Sequence, residues 1–241
     1  MAIIKSLLPR ICGGGNIKLG ASVGTFSTLY GDASYYIDAL KMSVCGTCGQ
    51  HCAHCKHACY VRKSYRYGSV MLRHAVNTLA LRESVENCYS ALHAQLARKR
   101  KPFDIIRINQ SGELESEEQF FMWVRLARDF PATQFYVYTK AFEFVTPALL
   151  AGDVPENLTV LFSVWHEYGL TEYARVAHLS NVKAFAYDDG AFDYDAAGFP
   201  LQTYCKAYDD SGKLDHAITC DKCKKCFNRS AGCKCIGCKA H

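Results

Sequence analysis

Four short runs, Phe103-Asp-Ile-Ile-Arg-Ile-Asn109, Gln134-Phe-Tyr-Val-Tyr-Thr139, Leu158-Thr-Val-Leu-Phe-Ser-Val-Trp165 and Val182-Lys-Ala-Phe-Ala-Tyr187, decide the fold class of this 241-residue chain. Each is rich in β-branched and aromatic residues and nearly continuous in apolar character, the pattern of a strand buried on both faces of a parallel sheet. Helical spacing separates them. Ser116 and Gln119 stand at capping-box spacing ahead of Phe120, Phe121, Val124, Leu126, Ala127 and Phe130, a stripe ended by Pro131. Phe142 to Leu150 and Glu167 to His178 supply the next two helices. Strands alternating with helices of this length predict an α/β fold with parallel strands and right-handed crossovers. A complete eight-unit barrel takes roughly 250 residues. Because residues 201–241 are cysteine-rich, the expectation is a partial or compact (β/α) barrel over 1–200, with a metal-binding tail over 201–241 packed on it.

Upstream of these runs, Val61, Tyr65, Val70, Leu72, Val76, Leu79, Leu81, Val85 and Leu92 predict one or two helices between Tyr60 and Arg100, with a break near Gly68. Ile37-Asp-Ala-Leu-Lys-Met-Ser-Val44 reads as a further strand, and a cysteine-rich loop follows it directly. With 49% hydrophobic and 21% charged residues, 17 Gly and 6 Pro, the composition excludes disorder, collagen-like repeats and coiled coil. The net charge of +5 is too weak and scattered to argue for nucleic acid or a membrane surface as partner. No apolar run approaches the ~20 residues that span a bilayer. The first ten residues, broken by Lys5 and Pro9, are not a signal h-region.

The abnormal number is 14 cysteines, with five in Cys45 to Cys59 and six in Cys220 to Cys238. Clustered thiols in a chain that reads as belonging to a reducing compartment point to metal rather than to a disulfide framework. Cys12 and Cys88 stand alone and read as buried small residues. In Cys45-Gly-Thr-Cys48-Gly-Gln-His-Cys52-Ala-His-Cys55-Lys-His-Ala-Cys59, Cys48, Cys52 and Cys55 have the spacing C-x3-C-x2-C. Three cysteines on a compact loop can each give a thiolate to a different iron of a cluster while a fourth iron stays open. A structural zinc site of four cysteines, or of three with His51, His54 or His57, is the competing reading. Position favours the cluster, since the loops after parallel strands are where a barrel places its active site.

The strand ending at Asn109 runs into Gln110-Ser111-Gly112-Glu113. Gly112 there lets a ligand approach the backbone, and Glu113 offers a carboxylate to an ammonium group; an ordinary strand-to-helix turn is the alternative. Arg107, inside the strand, must pair with a carboxylate or face a polar cavity. Lys140 and Trp165-His166-Glu167 would reach the same face of a barrel. In the tail, Cys220, Cys223 and Cys226 give C-x2-C-x2-C, continued by Cys233, Cys235 and Cys238. An iron–sulfur site with Cys205 or Cys233 as fourth ligand competes there with a zinc knuckle. Lys222, Lys224, Lys225, Arg229, Lys234 and Lys239 surround these thiols and would offset the charge of a cluster or bind a phosphate backbone.

Cys48-x3-Cys52-x2-Cys55 together with Ser111-Gly112-Glu113 resembles the radical S-adenosylmethionine superfamily. That resemblance implies three thiolates on a 4Fe–4S cluster, and a Gly-Gly-Glu-like segment, here Ser111, Gly112 and Glu113, that binds the methionine amino group. A closer resemblance, along nearly the whole chain, is to the phage family called gene product 88, whose members look like shortened radical-enzyme barrels. It is carried by Asn16-Ile-Lys-Leu-Gly20, Cys48-x6-Cys55-x3-Cys59-Tyr60, Arg107-Ile-x2-Ser-Gly112, Phe135-Tyr-x-Tyr-Thr-Lys140, Ser163-Val-Trp165, and Cys205 with Cys220-x2-Cys223-x2-Cys226. The two resemblances imply different trios, Cys48, Cys52 and Cys55 against Cys48, Cys55 and Cys59, and the second favours Cys205 in the tail. Either trio suits a 3Fe–4S or site-differentiated 4Fe–4S cluster.

Two chemistries follow as expectations, in the cytoplasm of a bacterial host. A reduced cluster, served by an electron donor, would cleave S-adenosylmethionine held by Glu113. Alternatively an open iron would act as a Lewis acid on a small-molecule substrate, as aconitase-like hydratases do, with Arg107 and Lys140 holding its anionic groups. A non-catalytic zinc or cluster module, structural, redox-sensing or nucleic-acid-binding, is the reading from a different class; the weak basic footprint counts against nucleic acid.

Overall fold

The computed structural model describes residues 8–13, 22–56, 59–205, 220–227 and 234–239. Its main sheet has eight strands, in spatial order β1 (Cys12–Gly13), β2 (Val23–Phe26), β5 (Ile105–Ile108), β6 (Gln134–Thr139), β7 (Leu158–Trp165), β8 (Val182–Asp188), β10 (Cys235–Lys239) and β9 (Thr203–Tyr204). All neighbours pair in parallel except β1, which lies antiparallel on β2. The α/β class is as expected. Barrel closure is not shown, since among the described residues β1 and β9 form the two edges of the sheet.

Strand alternation divides the buried residues between two faces. Ile106, Ile108, Phe135, Val137, Val160, Phe162, Val182 and Ala184 face a large core covered by helices. Val23, Ile105, Tyr136, Leu161 and Ile236 face the other way into a smaller cluster closed by Phe227. By the same alternation Arg107, Tyr138, Ser163, Trp165 and Phe185 belong to this second face. The covering helices are α1 (Gly68–Glu83), α2 (Val85–Ala97), α3 (Glu117–Asp129), α4 (Phe142–Leu150) and α5 (Leu170–Val176). Ser116 caps α3 by accepting the Gln119 N–H at 3.2 Å, while Gln119 Oε1 takes the Glu115 N–H at 3.0 Å. Ser84 performs the same capping for α2 and so splits the long helical stretch. A 3-10 turn, Tyr60–Arg66, precedes Gly68, where the break was expected. Among the described residues no helix is long and apolar enough to cross a membrane.

Three sequence expectations need correction. Ile37 to Val44 is not one strand but parts of a hairpin, in which β3 (Ser34–Ile37) pairs antiparallel with β4 (Met42–Cys45). Lys41 makes the turn with φ 53°, and Ile37 and Val44 both bury in a satellite core with Leu29 and Ala75. The cysteine loop therefore leaves an antiparallel hairpin inserted after β2, not the end of a parallel strand. Cys12 is exposed on edge strand β1, whereas Cys88 is buried as expected. The described part of the tail joins the sheet itself, supplying β10, which pairs with both β8 and β9.

Candidate functional site

The segments leaving β2 and β5 are tied to each other above the sheet. Thr28 N–H donates to Ser111 O at 3.0 Å and Ser111 Oγ donates to Thr28 O at 2.9 Å. Thr47, from the cysteine loop, adds a third limb: its hydroxyl lies 3.0 Å from Thr28 Oγ1, donates to Leu29 O at 2.9 Å and accepts the Glu113 N–H at 2.8 Å. Gly112 stands where these segments meet, with φ 81°. A Cβ there would lie 1.9 Å from Thr28 Oγ1 and 2.6 Å from Thr47 Oγ1, so both the space and the left-handed backbone require glycine.

Glu113 is 6% exposed and its carboxylate is committed to backbone and hydroxyl donors. Oε1 accepts from Leu114 N–H at 2.9 Å and Thr139 Oγ1 at 2.7 Å, and Oε2 accepts from Lys140 N–H at 2.8 Å. These bonds fasten the turn after β5 to the end of β6 and fix where Lys140 leaves the sheet. Lys140 Nζ lies 5.6 Å from the centroid of the Trp165 ring, which stacks on Tyr187 at 3.9 Å and 6°. Arg107, lower on the same face, holds its guanidinium 4.7 Å from the Tyr138 ring centroid, a cation–π contact.

The cysteine loop is docked over these strand ends. Gly31 N–H donates to Cys48 Sγ at 3.1 Å and Cys48 N–H returns to Gly31 O at 3.0 Å. Three residues on, His51 is buried; its Nε2 lies 3.3 Å from Glu143 Oε1 and its Nδ1 3.4 Å from Tyr168 Oη, pinning the loop to α4 and to the β7–α5 connection. Burial pushes the Cys59 thiol up; Cys55 adds to that shift and Lys140 opposes it, so all three are within electrostatic reach. Burial likewise raises the Tyr168 phenol, with Glu143, Glu113 and Cys55 contributing. Cys48 acts in the same way on Tyr35 and Tyr65. The Tyr65 hydroxyl accepts the Tyr30 N–H at 3.0 Å and lies 3.2 Å from His74 Nδ1, whose pKa burial lowers to about 4.

The structure thus gathers Cys48, Cys55, Cys59, Glu113 and Lys140 at the carboxyl ends of the parallel strands. The side chains of Cys52 and Cys220 lie outside the described residues, and so does Cys233. Cys205 follows edge strand β9, its N–H on Gly237 O, and Cys226 packs in the buried cluster with Phe227 and Ile236. Among the described residues no three Cys, His, Asp or Glu side chains converge on one metal position. The chemistry of the donor set nevertheless fits a thiolate-bound group: the loop carries Cys48, Cys55 and Cys59, Cys48 takes an N–H, and Lys140 is within electrostatic reach of Cys59. Thr28, Thr47, Glu143 and Tyr168 carried no sequence signal. His51 was marked only as a rival zinc ligand, and here it is a tether.

Fold and site together define an α/β protein of the parallel-sheet class that collects its polar and thiol groups at the carboxyl ends of its strands. The model of the gene product 88 family matches residues 11–238, and the chain belongs to that family. No match is found among curated proteins or among solved structures.

Proposed function

We propose that this is an iron–sulfur protein of phage type, with its cluster on the 45–59 loop, acting on a small anionic molecule at the mouth of the sheet. The observation that supports this is that Cys55 and Lys140 both act electrostatically on the buried Cys59, on the same loop whose Cys48 takes the Gly31 N–H. When bound, a cluster with one iron free of protein thiolate supplies either one-electron cleavage of S-adenosylmethionine or Lewis-acid polarisation of a hydroxyl or carboxylate. The protein's own residues do the rest. Lys140 and Arg107 present cations on one face to anionic groups, and the Trp165–Tyr187 stack walls the mouth beside Lys140. Glu113 acts first as a positioning residue, since three donors already use its carboxylate. That commitment favours the Lewis-acid chemistry over the radical one. In the radical version the free lone pair of Glu113 Oε2 would take the cofactor's amino group, beside the Ser111-Gly112 backbone, and an electron donor would be a partner.

The test is anaerobic purification followed by iron, acid-labile sulfide and zinc analysis and visible absorption. About three or four irons with matching sulfide are expected. A colourless protein holding only zinc would overturn the reading in favour of a non-catalytic metal module. Titration of the reduced protein with S-adenosylmethionine, followed by electron paramagnetic resonance, separates the two chemistries. An unaltered signal at saturation removes the radical version.

A further inference from the structure

The net charge of +5 is small because it averages two unlike parts of the chain. From Lys41 to Arg82 there are seven Lys and Arg and no Asp or Glu, which leaves 21 cations against 23 carboxylates elsewhere. The stretch that contains the cysteine loop therefore carries +7, and all the rest together −2. Some of these cations are already engaged. Lys56 pairs with Asp32, Arg82 pairs with Glu115, and Arg73 donates to Leu8 O. Arg62, Lys63 and Arg66 differ: all three are exposed, and among the described residues none has an ion-pair partner.

The 3-10 turn Tyr60–Arg66 presents these three from a fixed base. Val61 is buried, and Tyr65 packs edge-on against Tyr30 and Tyr35 at 4.9 and 5.3 Å while its hydroxyl accepts the Tyr30 N–H. Ser64 Oγ closes on Val61 O at 2.6 Å, and Tyr67 N–H on Ser64 O at 3.1 Å. With Val61 and Tyr65 turned inward, the cations project outward, and Tyr67, 52% exposed, ends the turn. The Arg66 guanidinium lies 4.8 Å from the Tyr67 ring centroid, so a cation and an aromatic face stand side by side. The turn offers no exposed aliphatic side chain.

We propose that this turn binds single-stranded nucleic acid, with Arg62, Lys63 and Arg66 on phosphates and the Tyr67 ring stacked on a base. Cations that follow a backbone and an aromatic side chain that takes a base are the two parts of a sequence-tolerant single-strand site. An acidic protein surface would also answer the charge, but a protein interface needs an apolar centre, and this turn sets only an aromatic face among cations. A 3-10 helix rises about 2 Å per residue, so Arg62 to Tyr67 spans roughly 10 Å. That is the length of about three nucleotides along a stacked strand. The site uses no cysteine, so it stands apart from the cluster reading.

The experiment titrates the full-length protein into fluorescently labelled oligothymidine and oligouridine of about twelve nucleotides, read by anisotropy. Binding of either oligomer supports the site. With three phosphate contacts, log Kd should rise against log salt with a slope of about 2 between about 50 and 200 mM. Arg62→Gln should lower that slope by about 0.7, and the triple variant Arg62→Glu, Lys63→Glu, Arg66→Glu should abolish binding. Tyr67→Ala should weaken binding by about fivefold or more at unchanged slope, while Tyr67→Phe, which keeps the ring, should not. Unaltered affinity in the triple variant overturns the site, even where the cysteine-rich tail still holds the oligomer. Polyglutamate that competes as well as the oligomer assigns the surface to an acidic protein and refutes the proposal. A duplex bound as tightly as the single strand, with Tyr67→Ala neutral, refutes the stacking. Should the triple variant not fold, the salt slope of Arg62→Gln and the Tyr67 pair decide.

Discussion

Replacing Gly112 by alanine tests the turn on which the site depends. An L-residue at φ 81° costs roughly 1–2 kcal/mol relative to glycine. The added Cβ, 1.9 Å from Thr28 Oγ1, must also displace that hydroxyl from its 3.0 Å contact with Thr47 Oγ1. Thr47 is crowded as well, at 2.6 Å, which threatens the bond it accepts from Glu113 N–H. Two hydrogen bonds at about 1 kcal/mol each bring the total to about 3–4 kcal/mol, a shift of a few hundredfold in the unfolding equilibrium. Against a domain stability of about 5–15 kcal/mol this is a large loss, and urea denaturation should record it as a lower midpoint at unchanged slope. Thr28→Ala in the Gly112→Ala background removes the closest clash and should recover about 1–2 kcal/mol, a coupling that independent sites would not show. If Gly112→Ala unfolds within about 1 kcal/mol of the parent, or the double variant recovers nothing, the tie between the β2 and β5 segments does not hold the turn.

Cys55→Ala should abolish the loop cluster whichever trio holds it, and iron and sulfide analysis of Cys52→Ala and Cys59→Ala should find one depleted and the other intact. Unchanged iron in Cys55→Ala would remove the loop assignment. Glu113→Gln retains one acceptor oxygen but sets an amide N–H₂ against either the Lys140 N–H or the Leu114 N–H and Thr139 hydroxyl; a loss of about 1.5–3 kcal/mol is expected by urea denaturation, and a neutral result would show that the carboxylate is not a structural tie. His74 is held neutral by burial with its pKa lowered from 6.5 to about 4. The unfolded chain binds its proton first, so the stabilisation is complete above pH 6.5 and is lost as pH falls toward 4, by up to about 3 kcal/mol. Denaturation midpoints of parent and His74→Gln measured between pH 7.5 and 4.5 should converge at the acid end; parallel profiles would contradict this.

The strands and helices from Phe103 to Tyr187 were legible to within three residues at their ends because their signals are local: β-branched runs, a serine cap at Ser116 and a proline stop at Pro131. The hairpin was not. Asp38 to Lys41 contains no Gly, Pro or Asn, and the turn is made by a lysine in the left-handed region, which only the packing of Ile37 and Val44 against Leu29 makes worthwhile. β10 was hidden for another reason: Cys235-Ile-Gly-Cys238 reads as a metal-binding spacing, and its strand character comes from partners β8 and β9 far away in sequence. At the site, Glu113 and Lys140 were named from strand ends alone. The bond that joins them lies between residues 27 apart, where no periodicity reports it.

The satellite core under the hairpin gives the cysteine loop its own stability. Leu29, Ile37, Val44 and Ala75 form a cluster distinct from the main core, so the β3–β4 arm opens against a small buried area while the eight-stranded sheet stays closed. Amide hydrogens of β3 and β4 then exchange by sub-global opening, ahead of those in β6 and β7. On the proposed reading, a cluster would enter the 45–59 loop through that opening without unfolding the sheet.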